Sequence, residues 1–323
     1  MKVCILGTGA YGLALANMFN QNDNDIILWS RFEEEINVLK TTRKAKALKD
    51  ITLPDFNYTT NMEEAVKDKE LIVIAVPAGA VNDVSKELAK YYKNNQHICI
   101  ASKGIEQNTC LFVNDVLNKY IKTKKLAVIS GGTFAIDMYS NCPLGLSLAT
   151  KNKETEYILK KSLQNKYLKL RTTNDIVGIE ICGSIKNVVA IASGMLSGMG
   201  YPESTSCMFI TESLHDIKNL IKALGGNKKT ILSFAGFGDL LLTCTSYKSR
   251  NYTLGKMIGE RRSQEEIDNY INTTTIEGLY TLKSIYKLLR KKKVKMPIID
   301  LIYNIIFKNT DPSELAKFLI EKE

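Results

Sequence analysis

The sequence predicts an α/β protein, with a parallel, doubly wound sheet in the first half and an all-helical second half. Three observations predict it. Short β-branched runs alternate with segments of helical period up to about residue 173. A glycine cluster, Gly7-Thr8-Gly9-Ala10-Tyr11-Gly12, stands directly between the first such run and the first helical segment. From about Asn174 onward the apolar residues keep helical spacing and no further strand is evident. The boundary is therefore set near residue 174, giving domains over 1–174 and 175–323.

Taken in order, Lys2–Leu6 (KVCIL) is the first predicted strand and Ala10–Asn20 the first helix. Asp25–Trp29 (DIILW) is the second strand. Leu71–Val76 (LIVIAV) is nearly all apolar, as a strand covered on both faces must be, and Pro77 stops it. Val81–Tyr92 then reads as a helix, His97–Ala101 as a strand, Cys110–Ile121 as a helix and Leu126–Ile129 as a strand. Residues from Gly145 to about Thr173 add further β and α material to the same domain. In the second domain Ile176, Ile179, Ile185, Val188, Val189, Ile191 and Ala192 share one stripe. Ser206–Leu224, Glu277–Leu289, Ile298–Phe307 and Ser313–Ile320 repeat the pattern.

Composition bounds the function classes. The 323 residues are 45% hydrophobic and 24% charged, enough for about two domains with proper cores. This excludes a disordered tail, a coiled-coil rod and a disulfide-stapled miniprotein. Lys and Arg outnumber Asp and Glu by 44 to 34, a net charge of +10, which favours anionic ligands or simply keeps the surface soluble. The runs Lys122–Lys125 and Arg290–Lys293 lack interleaved aromatics and read as solvated helix ends, so a nucleic-acid role has little support. Seven cysteines, an odd number with no C-x-x-C pair, read as reduced, buried thiols, and no zinc pattern is present, so no metal is expected. No stretch is read as reaching the about 18 apolar residues that span a bilayer. Met1 leads into the first strand at once, so no signal peptide is read and the expected location is the cytoplasm.

The glycine cluster carries the first chemical signal. Gly7 suits the tight turn, Gly9 lets backbone approach a pyrophosphate, and Gly12 lets helix and strand pack closely. The following helix start presents unpaired amides to phosphates. The second strand ends in Trp29-Ser30-Arg31-Phe32, and no acid follows until Glu33. Ser30 and Arg31 suit a 2′-phosphate, which favours NADP(H) over NAD(H), unless Arg31 points into solvent.

The catalytic candidates are lysines, since His97 and His215 sit in a strand and a helical stretch and read as structural or surface residues. Lys103 follows a strand in Ala101-Ser102-Lys103-Gly104, and carboxyl ends of such strands face the ligand crevice. Lys186 is a lone charge in Ile181–Ile191, so it is paired, at a cleft, or snorkelling from a helix edge. Asp239 follows Gly236-Phe237-Gly238 and suits orientation of a cationic Lys, while Arg250 and Asn251 offer donors for a phosphate. The same stretch also reads as a polar loop between helices.

Together these motifs resemble the NAD(P)-dependent glycerol-3-phosphate dehydrogenases, in particular the bacterial type. The resemblance runs from Lys2 to about Phe307. It rests on Gly7–Ala16 (GTGAYGLALA), Ala101–Glu106 (ASKGIE), Ser130–Ala135 (SGGTFA), Gly178–Ile191 (GIEICGSIKNVVAI), Gly236–Thr245 (GFGDLLLTCT), Ser249–Asn251 (SRN) and Glu277-Gly278. It implies a Rossmann domain, a helical substrate domain and a cleft between them. It implies reversible hydride transfer between NAD(P)H and dihydroxyacetone phosphate, giving sn-glycerol 3-phosphate for phospholipid synthesis. Lys186 matches the family's catalytic lysine and Lys103 a second cleft lysine. Asn187, Asp239, Thr243, Ser249, Arg250 and Asn251 match substrate-side positions, and Gly131, Thr133 and Ala135 match the loop near substrate and nicotinamide. Gly7, Gly9, Ala10, Tyr11, Gly12, Arg31, Lys103, Arg250, Thr275 and Glu277 fall at cofactor positions.

Three departures stand out. Ala10 replaces a usual Ser, Leu13 a usual Thr, and Gly132 a usual Pro. None removes a group that the chemistry requires. Two alternatives remain in view: another two-domain NAD(P)-dependent hydroxyacid or sugar-phosphate dehydrogenase, and a dinucleotide sensor without catalysis. A sensor has no use for Lys103, Lys186, Asp239 and Arg250 together. The expected partner is the small-molecule substrate, with no nucleic acid and no integral membrane association, and a homodimer is favoured only as the commonest assembly.

Overall fold

The computed structural model describes residues 1–46, 48 and 50–322. The chain forms two compact units. The first comprises Met1–Lys103 and Phe112–Ile176, and the second Gly104–Leu111 and Val177–Glu323. The short segment Gly104–Leu111, placed within a continuous first domain by the sequence reading, thus belongs to the second unit.

The first unit is built on eight strands: β1 (Lys2–Leu6), β2 (Asp25–Trp29), β3 (Asn57–Thr59), β4 (Leu71–Ile74), β5 (His97–Ile100), β6 (Leu126–Ser130), β7 (Leu144–Thr150) and β8 (Leu168–Thr173). Its helices are α1 (Ala10–Asn20), α2 (Glu33–Thr42), α3 (Met62–Val66), α4 (Val81–Leu88), α5 (Val113–Leu117) and α6 (Lys153–Leu163). The strand order is β3-β2-β1-β4-β5-β6-β7-β8. All pairs are parallel except β6–β7, so the sheet is mostly rather than wholly parallel. The order reverses beside β1, as in a doubly wound dinucleotide-type sheet, where ligands bind beyond the carboxyl ends of the strands.

Hydrophobic periodicity explains the sheet. β4 and β5 are buried along their whole length, and Val3, Ile5, Leu28, Val73, Cys99, Ala127 and Ile129 join α1 residues Leu13, Leu15 and Phe19 in one core. β3, with one short run, and α2, with an acidic first turn and only Ile36 and Leu39 buried, carried too little apolar pattern to be expected. α4 and α5 are shorter than predicted, ending at Leu88 and Leu117, because non-helical turns take over the apolar residues beyond them. Lys122–Lys125 lies in the turn before β6 rather than at a helix end, and Lys125 Nζ is 3.0 Å from Glu154.

The second unit is helical among its described residues: α7 (Ile176–Gly198), α8 (Glu203–Ala223), α9 (Asp239–Thr245), α10 (Arg250–Gly259), α11 (Gln264–Thr273), α12 (Glu277–Lys292), α13 (Pro297–Lys308) and α14 (Glu314–Glu321). α7 corrects one sequence reading. It runs for 23 residues, its most apolar 18-residue window has a mean hydropathy of 1.6, and it is long and apolar enough to cross a membrane. Its most apolar window is 83% buried within the protein, so the pattern is that of a core helix. Among the cysteines, Cys4, Cys99, Cys110, Cys182 and Cys244 are buried and unbridged as expected, whereas Cys142 is half-buried and Cys207 is exposed.

α7 and α10 cross at unusually short range. A Cβ added to Gly255 would lie 1.8 Å from the Ile191 carbonyl oxygen, and one at Gly194 would lie 2.1 Å from that of Tyr252. Gly198 and Gly259 are confined in the same way. The two Gly-x-x-x-Gly pairs let backbone meet backbone, and this holds the polar residues of the two helices in register.

Candidate active site

Two groups of sequence-predicted residues assemble, one in each unit. In the first unit the turn after β1 is shaped by glycine. Gly7 has φ 121°, and a Cβ there would lie 2.8 Å from the Ala75 carbonyl oxygen. A Cβ at Gly12 would lie 2.2 Å from the Gly7 carbonyl oxygen, so only glycine lets α1 pack this close. Gly9 behaves differently: a Cβ there would meet nothing within 4 Å. α1 starts at Ala10 with no side-chain cap at Gly9 and no acid in its first turn.

Beyond β5, Lys103 Nζ donates to the Gly131 carbonyl oxygen at 3.3 Å and stands 5.5 Å over the Tyr11 ring. Ser102 Oγ donates to the Val76 carbonyl oxygen at 2.5 Å, which ties this turn to the end of β4. The loop after β6 runs through Gly131 and Thr133 into a 3₁₀ turn that opens at Ala135. Ser130 Oγ and Thr133 Oγ1 are buried there with no hydrogen-bond partner. Arg31 lies exposed after β2.

In the second unit a π-helical turn, Phe234–Gly238, leads into α9. Ser233 caps it, and Gly236 is required because a Cβ would lie 2.1 Å from the Ile231 carbonyl oxygen. The turn delivers Asp239 to the start of α9 with 1% of its surface exposed. Lys186 Nζ, from mid-α7, donates to Asp239 Oδ1 at 2.7 Å and to Thr243 Oγ1 at 3.1 Å. The Thr243 hydroxyl in turn donates to the Asp239 carbonyl oxygen at 2.6 Å. Of the readings open for Lys186, paired, at a cleft or snorkelling, the structure shows the paired one. Burial pushes the neighbouring Cys244 thiol well above its ordinary range, against the pull of Lys186, so it packs there as an inert apolar group.

A second network runs from the next residue of α7. Asn187 Nδ2 donates to Glu277 Oε2 at 3.2 Å, Asn251 Nδ2 donates to Asn187 Oδ1 at 3.1 Å, and the Gly278 amide donates to Asn251 Oδ1 at 2.9 Å. It ties α7, α10 and α12 together in a closed ring of polar contacts. Ser249 is engaged elsewhere, as the cap of α10, accepting from the Tyr252 amide at 3.2 Å. Arg250, the first residue of α10, and Thr275, just before α12, are exposed and stand outside both networks. His97 is buried, with Nδ1 2.8 Å from Thr155 Oγ1, and His215 is exposed on α8, so neither belongs to a catalytic cluster.

One residue was missed by the sequence reading. Glu35, in the first turn of α2, folds back so that its Oε2 accepts from Thr8 Oγ1 and Ser30 Oγ, each at 2.6 Å. Its signal was a third acid in the first turn of α2, six residues beyond the end of β2, and that reading went no further than Glu33.

The two halves of the chain match two models of one family. Residues 2–156 match the N-terminal model described as NAD-dependent glycerol-3-phosphate dehydrogenase N-terminus, and residues 175–317 match its C-terminal counterpart. The chain belongs to the NAD-dependent glycerol-3-phosphate dehydrogenase family. A glycerol-3-phosphate dehydrogenase (NAD(P)+) of Fusobacterium nucleatum is 33% identical over 327 residues, covering 100% of this chain and 97% of the relative. One from Staphylococcus saprophyticus is 34% identical, with 99% and 97% covered. The crystal structure of glycerol-3-phosphate dehydrogenase from Coxiella burnetii superposes with a TM-score of 0.93 at 27% identity, covering 99% of both chains.

Members of this glycerol-3-phosphate dehydrogenase family are NAD(P)-dependent oxidoreductases, and the first unit fits such a cofactor. The space that a Cβ at Gly9 would enter is free, the α1 amides are uncapped, and two hydroxyls beside Lys103 lack partners. Gly7, Gly9 and Gly12 would hold the pyrophosphate, and the loop from Ser130 to Ala135 would meet the nicotinamide end.

Proposed function

We propose that this protein is an NAD(P)-dependent glycerol-3-phosphate dehydrogenase. It interconverts dihydroxyacetone phosphate and sn-glycerol 3-phosphate, with the reduction consuming one hydride and one proton. The observation that carries this reading is the Lys186–Asp239–Thr243 cluster, an ammonium held in a buried polar frame within a chain that matches the family in both halves. When bound, NAD(P)H would supply the hydride to C2, and negative charge would then grow on the carbonyl oxygen. Lys186 Nζ stabilises that charge and donates the proton, and in the reverse direction the same atom accepts it.

Asp239 and Thr243 hold the ammonium in place. Asn187 and Asn251 fix the neighbouring backbone. The Asn187 contact uses one of the two Asn251 amide hydrogens, so the other is available to the substrate phosphate beside Arg250. Arg250 supplies the charge of that phosphate clamp, whose binding energy positions the reacting carbon. Lys103 adds positive potential for the doubly charged substrate. Gly131, Thr133 and Ala135 shape the loop beside the reacting groups, and Tyr11, Ala10, Thr275, Glu277 and Arg31 complete the cofactor contacts. The same reading puts the protein in the cytoplasm as a homodimer, without nucleic acid or integral membrane partners, where its product supplies phospholipid synthesis.

The test is absorbance decay of NADPH or NADH with dihydroxyacetone phosphate. Rapid oxidation that requires the phosphorylated ketone is expected. Lys186→Ala should lower kcat by about a thousandfold or more with the melting temperature nearly unchanged. Arg250→Ala should act mainly on kcat/KM. Near-normal turnover of Lys186→Ala would remove that residue from its role. Failure of the wild-type protein to oxidise either nucleotide with this ketone would overturn the assignment.

A further inference from the structure

The parallel pairing of β1 with β2 sets Leu6 beside Trp29, so the turns that follow both strands leave the sheet side by side. Thr8 comes from the first turn and Ser30 from the second, and each is 5% exposed. Their hydroxyls converge on one oxygen, Glu35 Oε2, at 2.6 Å each, and the Phe32 amide donates to Ser30 Oγ at 3.3 Å. Two buried donors thus lock the Glu35 rotamer and hold its carboxylate at the carboxyl ends of β1 and β2. Oε1 takes no part in either bond. Glu33 and Glu34 stand in the same first helical turn, against the single cation Arg31.

A dinucleotide whose pyrophosphate rests on α1 extends its adenosine ribose towards the end of β2. We propose that Glu35 is the acceptor for that ribose 2′-hydroxyl and the residue that selects NAD(H) against NADP(H). The carboxylate does from the first turn of α2 what an acid at the end of β2 does elsewhere. It accepts a hydrogen bond from a free 2′-hydroxyl and repels a 2′-phosphate brought to the same place. Ser30 and Thr8 are committed to Glu35, so neither hydroxyl is offered to a 2′-phosphate, as the sequence reading had assumed for Ser30. Arg31 acts in the opposite sense and keeps NADP(H) binding from being lost altogether.

This proposal rests on the reading of the first unit as a dinucleotide site, and direct binding separates the two. The dissociation constants of NADH and NADPH are measured by nicotinamide fluorescence for the wild type, Glu35→Gln and Glu35→Ala. The wild type is expected to bind NADH more tightly. Glu35→Gln keeps the shape and removes the charge. It should tighten NADPH about tenfold and weaken NADH several-fold. Glu35→Asp should retain the wild-type ranking. If Glu35 served only to brace the turns, both nucleotides would weaken alike and the ratio of their constants would stay within twofold in Gln and Ala variants. That result would overturn the assignment of Glu35 while leaving the dinucleotide site intact. A folded wild type that binds neither nucleotide would overturn both.

Discussion

His97 shows how burial decides the behaviour of a single side chain. Its side chain is 4% exposed, Nδ1 meets Thr155, and Nε2 lies 3.6 Å from Glu154. Glu154 favours the charged ring, yet burial and the nearby Lys125 oppose it more strongly and lower the pKa below its ordinary value. The unfolded chain therefore takes up a proton at this site before the folded one does. The resulting stability is complete above the unfolded pKa of about 6.5 and declines as pH falls from there towards the folded value. The expected outcome is a melting temperature that falls between pH 7 and 5 less steeply in His97→Asn than in wild type, read by parallel thermal scans. Equal slopes would contradict a neutral, buried His97. The Lys186–Asp239 pair follows the opposite logic. Removing Asp239 would leave an ammonium with 13% side-chain exposure short of its main counter-charge, so that pair is tied to folding as well as to chemistry.

Between elements, the α7–α10 crossing sets the position of the polar networks. Lys186 and Asn187 lie on α7 and Asn251 on α10, and the hydrogen bond from Asn251 to Asn187 survives only while the helices stay at their present separation. Gly255 holds that separation. Its replacement by Ala brings a methyl group to 1.8 Å from the Ile191 carbonyl oxygen, which neither helix can accept without moving. Gly255→Ala is expected to destabilise the second unit by about 2 kcal/mol or more and to lower activity through the shifted asparagines. Gly79→Ala, where an added Cβ meets nothing within 4 Å, is the control and should leave the unfolding midpoint in urea unchanged. Equal midpoints for both variants would refute the crossing as a determinant.

For the molecule as a whole, division into two units makes ligand effects selective. A nucleotide that binds only the folded first unit stabilises it by mass action, about 2.7 kcal/mol at a hundred times its dissociation constant. Saturating NADH should raise the melting transition of the first unit by several degrees in differential scanning calorimetry. A scan unmoved by saturating NADH would contradict cofactor binding to the folded unit. The same scale explains α7. Read as a string it passes for a membrane span, but 83% of its most apolar window is buried within the protein, and the charges Glu180 and Lys186 interrupt it.

Periodicity and glycine spacing alone determined the strand–helix alternation, the turn after β1 and the change to helices after Thr173. Each depends on neighbours within a few residues, and local backbone sterics act at that range. The antiparallel β7, the short β3 and the transfer of Gly104–Leu111 to the second unit were hidden, because pairing across a sheet and packing between distant segments leave no local period. The pairing of Lys186 with an acid 53 residues away, the crossing of α7 and α10 at their glycines, and the return of Glu35 to Thr8 and Ser30 belong to the same class. Each is a contact between residues whose separation along the chain says nothing about their distance in space. The tertiary fold had to bring them together before their chemistry could be read.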